Sequence, residues 1–197
     1  MKRIILAIWA LNCLAGGGAS QTATPKSIDS YCKEVDTLQK RHRTPELIFA
    51  DTAGMEDKKE KWRSFGSEKA LEKFREKSET YTIAYSWRRA GKIIASNFTL
   101  FSGSGDWAKY NNHCFREDGS LARLESDYRT FMNDFKVLRK RYFDATGRAI
   151  GSSVRYLDLT TGKPKAAKEG VMGDHPKEVD YYKKTSKLPF AHLVKQK

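Results

Sequence analysis

Trp87-Arg88-Arg89-Ala90-Gly91, Phe115-Arg116-Glu117-Asp118-Gly119 and Phe143-Asp144-Ala145-Thr146-Gly147 share one shape: an aromatic, three residues and a glycine, each copy 28 residues after the last. Apolar alternation flanks each copy, so each reads as the turn of a β-hairpin, with glycine at the positive φ that a side chain disfavours. Unit one rises through Tyr81, Ile83, Tyr85 and Trp87 and returns along Lys92 to Phe101. Unit two rises over Lys109 to Phe115 and returns over Ser120 to Phe131. Unit three rises from Val137 to Phe143, returns through Tyr156 to Leu159 and ends at Thr161-Gly162-Lys163-Pro164. Three copies are the minimum for a repeat, and six consecutive strands make an antiparallel meander.

The register extends past the turns. Leu100, Tyr128 and Tyr156 are equivalent, as are Ile94, Ala122 and Ile150, and Phe98, Ser126 and Val154. The even-numbered residues of the returning strands are therefore read as the oily face. Asn97, Arg123, Glu125, Asp127, Ser153 and Arg155 make the other face polar, as in a sheet with one side in water.

Two helices precede the meander. Ile28, Tyr31, Cys32, Val35 and Leu38 fall three and four apart behind Ser27, which is read as the N-cap. Ala70, Leu71 and Phe74 share a face behind Ser67. Glu46 to Ala50 suits a short strand, Asp51-Thr52-Ala53-Gly54 a turn, and Trp62 and Phe65 core packing. The expected fold class is α+β: a meander of about six strands whose oily face is covered by one or both helices. The expected boundaries are 1–20 for a leader and 21–197 for a single domain, helical over 26–79, meander over 80–165 and irregular over 166–197. Within that tail Tyr181, Tyr182, Leu188, Phe190 and Leu193 are expected to dock.

Residues 1–20 read as a signal peptide: Lys2 and Arg3, the apolar Ile4 to Leu11, and the small residues Gly16-Gly17-Gly18-Ala19. That stretch is too short for a stable transmembrane helix. Cys13 would allow a lipid anchor, although Asn12 stands where such signals carry a small residue. Cleavage leaves Cys32 and Cys114, an even number in an oxidising compartment, and predicts one disulfide. It closes a loop of about 80 residues, worth roughly 2–4 kcal/mol. The expected location is periplasmic or secreted, with no transmembrane segment in the mature chain.

Beyond Lys2 and Arg3 the chain keeps 35 Lys plus Arg against 24 Asp plus Glu. That excess favours an anionic glycan, a lipid headgroup or an envelope protein as partner. The bases are spread from Lys33 to Lys197 with acids among them, as on a solubilising surface. Aromatics interleave with bases at Tyr81 to Arg89 and Arg139 to Phe143, a pattern of single-strand nucleic-acid surfaces. Export argues against that partner, and cross-strand packing explains the aromatics.

Little in the sequence carries chemistry. Neighbouring His113 and Cys114 point to opposite faces of a strand and cannot act as a pair. Ser102-Gly103-Ser104-Gly105-Asp106 lacks the lysine and following helix of a phosphate loop. Glu125 and Asp127 lie on one strand face about 6–7 Å apart, within hydrolase range, but arginines 123, 129 and 155 surround them. No cofactor and no metal site are expected, since a lone cysteine pair with scattered histidines matches no ligand spacing.

The aromatic-then-glycine hairpins resemble the short hairpin repeats of bacterial cell-surface and wall-associated proteins. The resemblance covers the turns at Gly91, Gly119 and Gly147 only, the unit here is longer, and no activity follows from it. The reading is an exported, non-catalytic envelope protein that binds or scaffolds through its polar sheet face, with Asn97, Arg123, Asp127 and Arg155 as contacts. The rival is a secreted hydrolase of cell-wall or glycan material using Glu125 or His113.

Overall fold

The computed structural model describes residues 23–54, 57–132, 134–166 and 181–194; the expected leader and Cys13 lie outside them. The chain forms an α+β fold around one eight-stranded antiparallel sheet, open at both edges. The elements are α1 (Pro25–Arg41), β1 (Leu47–Asp51), β2 (Trp62–Phe65), α2 (Glu68–Arg75), β3 (Thr82–Arg89), β4 (Lys92–Phe101), β5 (Trp107–Phe115), β6 (Leu121–Thr130), β7 (Phe135–Phe143) and β8 (Ala149–Asp158). Spatial order is β2-β1-β3-β4-β5-β6-β7-β8. The six expected strands are present as β3 to β8. β1 matches the short strand expected over Glu46 to Ala50, and β2 is a strand where Trp62 and Phe65 were expected only to pack in the core, both within the stretch given as helical. Trp62-Arg63-Ser64-Phe65 is only four residues long and shows its strand character through pairing with β1, not through any alternation of its own.

The repeat sets the local structure. Gly91, Gly119 and Gly147 adopt φ of 77°, 80° and 83°, so all three turns use the left-handed region. Each hairpin also carries a bulge at the corresponding place. Trp87 pairs with Ala95 and Arg88 with Ile93, leaving Ile94 extra. Cys114 pairs with Arg123 and Phe115 with Leu121, leaving Ala122 extra. Tyr142 pairs with Gly151 and Phe143 with Ala149, leaving Ile150 extra.

An inserted residue reverses the facing of everything beyond it. Ile94 and Ala122 are buried under α1, with Ile150 packed alongside, whereas Phe98 joins the core on the other side of the sheet. The even-numbered positions of a returning strand therefore do not form a single oily face.

Helix α1 begins at a reciprocal cap. Thr24, not Ser27, is the N-cap: its Oγ1 accepts from Ser27 N at 3.2 Å, and Ser27 Oγ accepts from Thr24 N at 3.0 Å. Ser67 caps α2 as expected, its Oγ accepting from Ala70 N at 3.1 Å. Both helices lie on the face that carries Asn97, Arg123 and Asp127, a correction to the expectation that they cover the oily face. Ile28, Cys32 and Val35 of α1 pack on Trp87, Ala95, Cys114 and Tyr142, and Leu71 of α2 on Ile83 and Ile48.

The opposite face holds Phe49, Ala84, Phe98, Phe115, Leu124 and Phe143, and the C-terminal segment covers part of it. Leu188 and Phe190 are buried there, and the Phe190 ring stacks on Phe49 with centroids 4.1 Å apart. Thr185 N donates to Gly119 O at 2.9 Å, which fastens the tail to the second turn.

The disulfide forms as expected, joining Cys32 of α1 to Cys114 of β5 across 82 residues of chain. Both sulfur-bearing residues are buried.

Candidate binding face

Cross-strand pairing arranges the helix-bearing face in rows. Closest to the turns runs Trp87, Ala95, Cys114, Arg123, Tyr142 and Gly151. Next come Tyr85, Asn97, Asn112, Glu125, Lys140 and Ser153, then Ile83, Thr99, Tyr110, Asp127, Leu138 and Arg155. Helix α1 covers the first row. Beyond it a cleft of about 300 Å³ opens on the β5–β8 half, lined by Asn112, Glu125, Asp127, Leu138, Lys140, Ser153 and Arg155.

The four residues expected to bind a ligand occupy different places. Asp127 and Arg155 line the cleft. Asn97 stands at its margin and donates its amide to Asn112 Oδ1 at 2.5 Å. Arg123 lies under α1 and is 5% exposed. Its guanidinium meets Asp29 Oδ1 at 3.0 Å, Asp36 Oδ2 at 2.9 Å and Glu125 Oε1 at 3.3 Å. Burial works against that charge, but the hydrogen bonds and charges of Asp36, Glu125 and Asp29 outweigh it and raise the Arg123 pKa. The three carboxylates surround Arg123 and hold it beneath the helix.

The ion pairs continue outward. Lys140 Nζ sits 2.6 Å from Glu125 Oε1. Asp127 Oδ2 is held by Arg129 at 2.8 Å and by Lys136 at 3.3 Å, and the Arg129 guanidinium lies 4.8 Å from the Tyr110 ring centroid. Hydrogen bonding to Asp127 raises the Arg129 pKa. Arg155 differs: it is exposed, and no ion pair joins it to any described residue. Three bases line the cleft (Arg139, Lys140, Arg155) beside two acids (Glu125, Asp127), Arg129 and Lys136 stand on Asp127, and both acids are already matched.

Lys140 and Leu138 were not singled out from the sequence, and Ser153 only as a residue of the polar face, yet the repeat contained the signal. Ser153 is 28 residues after Glu125 and 56 after Asn97, Arg155 stands likewise to Asp127 and Thr99, and Lys140 is 28 after Asn112. The cleft is built from equivalent positions of successive hairpins. Asp29 and Asp36 were also missed, although they flank Cys32 at three and four residues and so share its helical stripe.

The groups of the hydrolase reading do not converge. Glu125 Oε1 and Asp127 Oδ2 each meet two cationic groups, and His113 is on the opposite face, 2% exposed. Its ring lies 5.3 Å from Phe98, 5.7 Å from Phe115 and 5.8 Å from Tyr182. Tyr182 N donates to Nε2 at 3.5 Å, which leaves the proton on Nδ1 to meet Asn111 O at 3.3 Å. Burial lowers the His113 pKa from 6.5 to about 4.

A histidine depressed in the folded state contributes stability above its unfolded pKa and loses it as pH falls toward the folded one. Between pH 7 and pH 5 the loss should be about 2 kcal/mol. Asp144 and Asp158, held down at about 2 by hydrogen bonds within their turns, lose their contribution only at lower pH, so the windows separate. Urea midpoints across pH 5–7 should slope steeply in the wild type and flatten in His113→Phe. Equal slopes would remove His113 as the cause.

Among the described residues no group of three or more His, Cys, Asp or Glu is placed to hold a metal ion, and no helix is long and apolar enough to cross a membrane. Fold and cleft together define an open-sheet α+β domain with a charged, helix-flanked face. No family model, no curated protein and no solved structure matches the chain.

Proposed function

We propose that the protein is an exported, non-catalytic binding or scaffold component of the bacterial envelope that holds an anionic group in the β5–β8 cleft. One observation carries the reading: Arg155 stands exposed at the rim of a net-basic cleft with no acid among the described residues to neutralise it, while every other charged side chain lining the cleft has a partner. Fixed opposite charge recruits and orients a ligand more than it adds raw affinity. Lys140 and Asn112 orient the bound group, with Asn97 behind Asn112, and Asp127 holds Arg129 and Lys136 beside it. Arg123 acts from beneath, holding Glu125 and, through it, Lys140. A periplasmic or secreted location is supported by the leader-like first 20 residues and by the buried Cys32–Cys114 bridge, which suits an oxidising compartment.

Binding of polygalacturonate and of phosphatidylglycerol vesicles should fall about 5- to 10-fold in Arg155→Glu, the scale of a reversed surface charge, and further in Arg155→Glu/Lys140→Glu. Raised salt should weaken the wild type in the same direction. Unchanged affinity of both variants for both probes would remove the cleft as the contact surface.

A further inference from the structure

β8 is the last strand of the sheet, and part of its outer edge is already in use. Lys165 N donates to Tyr156 O at 3.0 Å and Asp158 N donates to Lys163 O at 2.9 Å, while Leu157 bridges to Pro164 in the antiparallel sense. The chain thus adds a short strand to the C-terminal end of β8. Those bonds also fix the parity of the edge: the backbone groups of Tyr156 and Asp158 point outward, so the next outward residues are Val154 and Ser152. Both are exposed, Val154 at 44%.

Residues Gly151–Arg155 carry two chemistries on two faces. Ser153 and Arg155 line the cleft, whereas Val154 is one of the exposed large hydrophobics, on the face away from the helices. A strand laid antiparallel along Gly151–Arg155 would set alternate side chains beside Arg155 and beside Val154. Long unprotected edges are templates for such pairing.

We infer that the edge of β8 along Gly151–Arg155, which no described residue pairs, takes an extended acidic polypeptide segment, which adds a ninth strand and places a carboxylate against Arg155 and an apolar side chain against Val154. The inference rests on the reading of Arg155 as the anion-holding group and names the class of partner. Charge selects against a second copy. Two β8 strands paired antiparallel would bring together two chains of formal net charge +13 each. An acidic strand removes that repulsion.

The test uses the full chain and three eight-residue probes: a peptide alternating valine and glutamate, its valine–lysine counterpart, and the glutamate peptide N-methylated at alternate residues on its pairing edge. Affinity and residue-resolved amide exchange are read for each. The glutamate peptide should bind and slow exchange at Ser152 and Val154 at least tenfold. The lysine peptide should fail to bind, and N-methylation or Arg155→Glu should each weaken binding at least tenfold. If the N-methylated peptide binds as well as its parent, the edge is not the docking element and the proposal falls, while the charged cleft stands. If Arg155→Glu leaves both the peptide and polygalacturonate bound as before, the cleft reading falls with it. Protection of Ser152 and Val154 without peptide overturns the proposal too, in favour of a second copy if it grows with protein concentration and of the chain's own tail if it does not.

Discussion

Replacing Cys32 and Cys114 together by alanine is expected to lower the stability of this protein by about 4 kcal/mol, the value of a cross-link that closes so long a loop. The bridge spans 82 residues and joins the only long helix among the described residues to the centre of the sheet. Few other contacts hold that helix: the buried Ile28 and Val35, the Tyr31 hydroxyl donating to Phe115 O at 2.8 Å, and the ion pairs to Arg123. For a chain of this size the midpoint of thermal unfolding should fall by about 8–16 °C, and dithiothreitol should shift the wild type by a similar amount. The effect should also be uneven, because α1 packs on one row of the sheet while β5 and β6 are paired on both sides. Amide exchange in α1 should therefore accelerate more than exchange in β5 or β6. A thermal midpoint indifferent both to reductant and to the double substitution would show that the bridge contributes nothing to the native state.

The parts of this fold legible in the sequence are those set by local geometry. Gly91, Gly119 and Gly147 announced three turns because left-handed backbone nearly requires glycine there. Ser67 and the Ala70, Leu71 and Phe74 stripe announced α2, and cysteine parity announced the bridge. What stayed hidden depends on partners distant in the chain. The bulges at Ile94, Ala122 and Ile150 recur at the repeat period, yet a bulge leaves no mark in hydropathy beyond a slip of parity, and Ile94 in sequence looks like another member of the Phe98 face. β2 is too short to show alternation and gains its definition from pairing with β1.

The position of the helices was hidden for a third reason. Hydropathy assigns Arg123, Asn97 and Glu125 to water, but α1 brings its own carboxylates to the sheet and so covers a charged row. Charge complementarity between Asp29, Asp36 and Arg123 is invisible until the two segments are known to meet. The cleft was half legible for the same reason: Asp127, Ser153 and Arg155 were found by alternation, while Lys140 required the neighbouring strand.

Arg123→Met is the second large effect expected, a loss of about 2–4 kcal/mol by chemical denaturation at neutral pH. Removing one member of a buried ion pair costs about 3–5 kcal/mol when the orphaned charge stays dry. Here the guanidinium is 6% exposed, but Asp29, Asp36 and Glu125 are 42%, 40% and 31% exposed, so water reaches the carboxylates left behind and moderates the loss. Three acids would then converge on one apolar side chain, with Lys140 on Glu125 and the Tyr142 hydroxyl on Asp29 at 2.9 Å as the remaining partners. Burial first, and Asp29 second, push the Tyr142 pKa up to about 12, so its proton stays in that bond at neutral pH. Arg123→Lys should lose less, about 1–2 kcal/mol, because one ammonium cannot reach three carboxylates that a planar fork can. A double-mutant cycle of Arg123→Met with Asp36→Asn should give a coupling of about 1–2 kcal/mol, since Arg123 Nη2 donates to both Asp36 oxygens, at 3.1 and 2.9 Å. Comparing variants of Arg155 and Arg123 separates scaffold from site. Arg155→Glu should change stability by less than about 0.5 kcal/mol, as surface substitutions do, while weakening anion binding; Arg123→Lys should lower stability and, acting on the cleft only through Glu125 and Lys140, weaken binding less than Arg155→Glu does. Should Arg123→Met unfold within about 0.5 kcal/mol of the wild type, the buried charge cluster is no clamp, and α1 is held on the sheet by the bridge and its apolar stripe alone.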